Sequence, residues 1–151
     1  MSDAATVITK PSLTLQRRFN ATPAQVYAAW TDPQKIVRWF GPANVNPDTV
    51  EVIEMDVRTG GRYSIGFTDD KGEYHQVGGI YKQVAPDEKL VLSWAWHTTP
   101  ERDSQVTVTI KAEGAGTLLT LTHEQFFDEA ARIGHTRGWT GTLDKLEKLF
   151  A

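Results

Sequence analysis

The chain holds 151 residues, 40% of them apolar and 23% charged, a composition suited to a soluble globular protein with one real core. Sixteen basic and nineteen acidic side chains are interspersed and leave a net charge of -3, so no field exists to draw in nucleic acid or an anionic membrane. The absence of cysteine excludes disulfides, thiolate nucleophiles and thiolate-held metals.

Residues 1–11 lack periodicity and are read as a flexible tail ahead of one domain over 12–151. Met1 to Lys10 shows neither a basic leader nor an apolar stretch, and the run Leu90 to Trp96 is too short to span a bilayer. A soluble, cytoplasmic protein is therefore expected. Leu13, Leu15 and Phe19 alternate with polar residues and predict a strand over about 12–20. Thr22-Pro23-Ala24-Gln25 is a capping box with proline at the first helical position, and Val26, Ala29 and Trp30 follow on one helical face. Asp32-Pro33 repeats the start signal, with Ile36, Val37, Trp39 and Phe40 as the apolar side until Gly41-Pro42 stops the turn. Two short helices thus follow the first strand.

From Thr49 to Gln125 the alternation is of period two. It predicts strands near 49–57, 61–68, 73–84, 89–97, 104–113 and 116–125. The links are short and rich in Gly, Asp and Pro, which makes consecutive strands antiparallel neighbours. After Phe126 the period becomes helical, with Trp139, Leu143, Leu146, Leu149 and Phe150 on one side. The fold class is α+β, an antiparallel sheet of about seven strands that must cover the apolar stripe of a long final helix.

Several short motifs, in this order and spacing, resemble the START-like SRPBCC superfamily. Within it they resemble the heat-shock-protein-90 ATPase activator homologue-like family, from about Leu13 to Phe150. They are Arg17-Arg18-Phe19, Ala21-Thr22-Pro23, Trp30-Thr31-Asp32-Pro33, Trp39-Phe40-Gly41-Pro42, Asp56-Val57-Arg58-Thr59-Gly60-Gly61-Arg62, Gly79-Ile80-Tyr81, Leu90-Val91-Leu92-Ser93-Trp94, Leu119-Thr120-Leu121-Thr122-His123 and Gly138-Trp139. The resemblance implies a helix-grip fold, in which a curved sheet and the C-terminal helix enclose a cavity for an apolar or amphipathic small molecule. Superfamily relatives include lipid carriers, hormone receptors and aromatic cyclases, so the fold by itself does not assign chemistry.

The aromatic distribution points the same way. Tyr63 and Phe67 share a strand face with Ile65, and Leu90, Leu92, Trp94 and Trp96 share another. Rings fitted around a helix leave gaps with an apolar, ligand-binding character, although tight ring packing would fill the same volume. Trp39 and Phe40 are expected to guard the mouth, with Tyr63, Phe67, Trp94, Trp96, Phe126, Trp139 and Leu143 as walls and His123 as the polar contact. Access is expected through movement of residues 32–48 or of the loop near Pro100.

Gly134, Gly138 and Gly141 fall within about 60° of one another on a helical wheel. Together they cost roughly 2–3 kcal/mol against alanine. Close approach of a ligand or a backbone would account for them, and for Gly134 a linker or kink is the favoured reading. Arg17, between Leu15 and Phe19, needs a carboxylate, with Glu54 and Asp56 as candidates. The histidines at 75, 97, 123 and 135 lack metal-ligand spacing, so no metal is expected, and no cofactor motif follows any strand.

The function expected is binding of a small hydrophobic or aromatic molecule, without defined catalysis, and with a homodimer left open. One alternative is an enzyme of aromatic or polyketide cyclase type that uses His123, Tyr63 or Arg17. Another is a chaperone-regulating interaction module, which needs an exposed apolar patch.

Overall fold

The computed structural model describes residues 10–151. The tail expected over 1–11 lies outside the described residues except at its end, where the Pro11 carbonyl accepts the Phe126 amide at 3.2 Å. Strand β1 (Leu13–Phe19) leads into α1 (Pro23–Thr31) and a single-turn α2 (Pro33–Ile36). The capping box forms as the sequence requires. Thr22 Oγ1 accepts the Gln25 amide at 3.2 Å, and Gln25 Oε1 accepts the Thr22 amide at 2.9 Å.

The second helix is shorter than its apolar pattern suggests. Beyond Ile36 the bonds tighten to Arg38 N–H to Lys35 and Trp39 N–H to Ile36, at 3.1 and 3.2 Å. Gly41 then reverses the chain at φ +95°, a conformation that favours glycine; a Cβ there would also meet Val45 at 2.8 Å. The reversal begins the segment 41–45 that later borders the candidate site.

Six further strands follow a 3-10 turn at Pro47–Thr49: β2 (Glu51–Met55), β3 (Arg62–Thr68), β4 (Tyr74–Ala85), β5 (Lys89–Trp96), β6 (Ser104–Glu113) and β7 (Gly116–Glu124). They form one antiparallel seven-stranded sheet in the order β1-β7-β6-β5-β4-β3-β2. Consecutive strands pair as hairpins, and β1 closes onto β7 with Leu13 opposite His123 and Phe19 opposite Thr117. Irregularities at Val52/Glu54 and Tyr81/Gln83 bend the β2–β5 half of the sheet.

The chain ends in α3 (Glu129–Leu149), whose Asp128 cap accepts the Ala131 amide at 2.8 Å. Gly134 therefore lies inside the helix and not in the linker that the sequence suggested. Trp139, Leu143 and Leu146 of α3 are buried among inward-facing Leu119, Leu121, Val106, Val108, Leu90 and Leu92 of the sheet. The architecture is the expected helix grip. Arg17 also finds its partner on the helix, with Nη1 2.7 Å from Asp144 and 3.6 Å from Glu147. The pairing expected with Glu54 or Asp56 fails because β1 and β2 occupy opposite edges of the sheet.

Candidate functional site

The grip is incomplete at one end. Between the ends of β3 and β5, the first half of α3 and the segment 40–44 lies a cavity of about 540 Å³. Phe67, Trp94 and Trp96 form the sheet wall, Phe40 the floor beside it, and His135 and Trp139 the helix wall. Trp94 meets Trp96 edge to face at 5.7 Å and Phe40 meets Phe67 edge to face at 6.2 Å, while Trp94 lies tilted against Trp139 at 5.1 Å, between centroids.

The helix wall is bare where small residues face the opening. A Cβ built on Gly134 or Gly138 would meet nothing within 4 Å, so neither glycine is required by packing. Gly141, one turn further on, behaves differently: a Cβ there would lie 2.9 Å from Ala43 N and 3.1 Å from Ala43 Cβ. The segment is tied to α3 around that contact. Thr142 Oγ1 donates to the Gly41 carbonyl at 2.8 Å, and Lys145 Nζ donates to the Pro42 carbonyl at 3.1 Å. Burial lowers the Lys145 pKa. Gly141→Ala is accordingly expected to destabilise the fold by about 1–2 kcal/mol, despite alanine's better helix propensity, as read by chemical denaturation.

Two histidines, His135 in this wall and His123 behind it, are each held by an indole. Trp139 Nε1 donates to His123 Nδ1 at 3.0 Å, so the neutral ring carries its proton on Nε2, which meets Ser104 Oγ at 2.7 Å. Ser104 passes its own proton to the Trp94 carbonyl at 3.1 Å. Trp96 Nε1 likewise donates to His135 Nε2 at 3.0 Å, which leaves His135 Nδ1–H to donate to the Ala131 carbonyl at 2.7 Å. Desolvation, and second the neighbouring His135, push the His123 pKa down to about 2; desolvation also lowers that of His135. Both imidazoles are neutral, and both nitrogens of each are occupied.

A further hollow of about 600 Å³ lies on the other face of the sheet, bordered by Ser64, Gly78, Gly79, Ile80 and Ala95 with charged Glu54 and Arg62. Its breadth comes from small residues on an open surface. The aromatic cavity is the better candidate because rings wall it on several sides.

A family profile described as Activator of Hsp90 ATPase homolog 1-like protein matches residues 20–151. The chain belongs to the Activator of Hsp90 ATPase homolog 1-like family. Among solved structures it is similar to protein CV1439 of Chromobacterium violaceum, at 26% identity and a TM-score of 0.82, with 92% of this chain and 96% of that one covered. The AHSA1 protein of Silicibacter pomeroyi matches at 26% identity and a TM-score of 0.77, covering 91% and 96%. CalU16 of Micromonospora echinospora matches at 29% identity and a TM-score of 0.66, covering 93% and 76%. A search of curated protein sequences returns no significant match. Among the described residues, no helix is long and apolar enough to cross a membrane.

Within this family's helix grip, five of the ten residues singled out from the sequence line the cavity: Phe40, Phe67, Trp94, Trp96 and Trp139. The other five do not. Trp39 is fully buried against Trp30 and donates to the Ala29 carbonyl at 3.0 Å. Tyr63 lies at the start of β3, away from Phe67, where its hydroxyl donates to the Ser93 carbonyl at 2.6 Å and burial raises its pKa. Leu143 sits one turn beyond Trp139, on the closed side of α3, with no exposure. His123 and Phe126 stack on one another at 4.2 Å behind the Trp94–Trp139 wall. Pro100 borders the outer hollow and not the cavity.

Sequence reasoning missed His135, Arg137 and the Gly41–Asn44 rim. The paired glycines at 134 and 138 carried the available signal, since His135 and Arg137 flank them on the same helix. It also missed Asp69, Glu73 and His75, whose ligand atoms lie within 4.8 Å of one another across the β3–β4 turn. Asp69 Oδ1 there accepts the Lys71 and Glu73 amides, and Oδ2 meets His75 Nε2 at 2.9 Å. Chiefly through the His75 bond, the Asp69 carboxyl is held below its ordinary pKa. A cation would have to break that bond, so the cluster is read as the anchor of the turn.

Proposed function

We propose that the protein binds a small apolar or aromatic molecule in the cavity between its sheet and α3, as a cytoplasmic carrier or sensor without its own chemistry. One observation supports this most strongly. The cavity is walled by rings, and the imidazole and the Trp96 indole that border it have already satisfied one another, which leaves a surface suited to flat hydrocarbon. The ligand of any relative is no guide here, because the family shares a fold across differing activities.

The cyclase alternative draws no support from its three named groups. His123 has both nitrogens engaged, Tyr63 gives its proton to a carbonyl, and Arg17 faces Asp144 and Glu147. The proposal is tested by titrating intrinsic tryptophan fluorescence with naphthalene, indole and long-chain hydrocarbons. Saturable quenching by the flat aromatics is expected, since three of the five tryptophans border the cavity. A flat response to every compound would overturn it.

A further inference from the structure

A small inner chamber of about 20 Å³ lies beyond the cavity, deeper in the grip. It has room for one oxygen-sized group. Phe40 and Trp94 border both spaces and form the partition between them. The remaining walls are side chains such as Trp30, Tyr63, Ile65 and Leu92, with no carboxylate or amide among them.

The indoles bordering this chamber are the exceptions in an otherwise satisfied cluster. Trp39, Trp96 and Trp139 each donate to a protein acceptor at 3.0 Å. Among the described residues, Trp30 Nε1 and Trp94 Nε1 are buried without any acceptor in reach. The two side chains are only 5% and 6% exposed, so bulk solvent does not serve them. A buried donor left unpaired is unfavourable, and both residues that carry one border this chamber.

We propose that the inner chamber is a recognition site for a hydrogen-bond-accepting oxygen on the bound molecule, a ketone, ester or ether oxygen that takes the indole protons of Trp94 and Trp30. This rests on the outer cavity being the binding site and specifies what it selects. For a ring held against Trp94 in the outer cavity, a short substituent reaches the chamber when the Phe40 and Trp94 rings, 6.1 Å apart between centroids, move aside at the partition. The chamber offers donors, so it favours a carbonyl over an amine of equal size. A resident water presents the same acceptor chemistry, and the experiment must separate the two.

The probes are 2-acetylnaphthalene and 2-isopropenylnaphthalene, which have nearly the same shape and differ in the oxygen. The acetyl compound is expected to bind about tenfold tighter, the effect of one well-made neutral hydrogen bond. Its binding should move the Trp30 and Trp94 indole N–H resonances downfield in ¹H–¹⁵N spectra and abolish any water cross-peaks to those protons. Trp30→Phe should reduce the preference for the acetyl over the isopropenyl compound; the wild-type spectra keep the test decisive if that variant fails to fold. Equal affinities with unmoved indole resonances would overturn the inference and leave the outer cavity standing. Water cross-peaks that persist in the acetyl complex would also overturn it. Failure of both probes to bind would overturn the inference together with the cavity reading.

Discussion

Replacing Gly138 by phenylalanine is expected to abolish binding in the cavity while the protein remains folded. The position borders the cavity, and a side chain there enters open space. A benzyl group would occupy the volume beside Trp94 and Trp139 that the ligand needs, so affinity should fall by at least about a hundredfold, or about 2.7 kcal/mol. Stability should move the other way. Glycine within a helix is about 0.8–1 kcal/mol less favourable than alanine, and no contact at Gly138 offsets that. Gly138→Ala should therefore raise the unfolding free energy by up to about 1 kcal/mol and leave most of the cavity open. Its sign is opposite to that of Gly141→Ala, where Ala43 already fills the space. Calorimetric titration and denaturant unfolding of these variants separate the cavity glycines from the packing glycine. A Gly138→Phe protein that binds as tightly as wild type would place the ligand elsewhere.

The second large effect is acid sensitivity from the buried imidazoles. His123 is neutral in the folded chain down to about pH 2, whereas its ordinary value is 6.5. The unfolded state therefore takes up the proton first, and stability is full above pH 6.5 and lost as the pH falls below it. At pH 5 the loss from His123 alone is about 2 kcal/mol, with a limiting slope of about 1.4 kcal/mol per pH unit. His135, lowered by the same desolvation, adds to it. Between pH 6.5 and about 5 the carboxylates with lowered values, Asp69 and Glu129, remain ionised in both states and contribute little. Glutamine can accept the indole proton but does not titrate, so His123→Gln should flatten the stability curve in that window. Urea unfolding at half-unit pH steps reads the slope. An unchanged slope in His123→Gln would mean that the imidazole is not kept neutral by burial.

Much of this fold is legible in the chain because its forces are local. Alternation in Leu13–Phe19 and Lys89–Trp96, the Thr22 capping box and the leucine stripe of α3 each follow from neighbours within a few residues. The site is less legible because it depends on depth. A helical wheel puts Trp139 and Leu143 on one face, but only the tertiary arrangement shows that Trp139 borders a cavity and Leu143 lies in closed packing. His123 follows Leu119 and Leu121 at period two and lies on the same buried face. Its partner Ser104 comes from the neighbouring strand, and its partner Trp139 from the helix, neither of which periodicity can supply. The same limit hid Arg17's pairing with Asp144, 127 residues away. The three helix glycines looked alike in sequence, and only their surroundings divide them into two that face a void and one that faces Ala43.

The central claim, that the ring-walled space between sheet and α3 is where a small molecule binds, is met most directly by mapping a naphthalene titration on ¹H–¹⁵N resonances. The account predicts saturable shifts at the amides of Gly134, His135 and Gly138, the rim residues Ala43 and Asn44, and the Trp96 indole. Shifts confined to Gly78, Gly79, Ile80 and Ala95 on the opposite face of the sheet, or no shifts at saturating naphthalene, would contradict it.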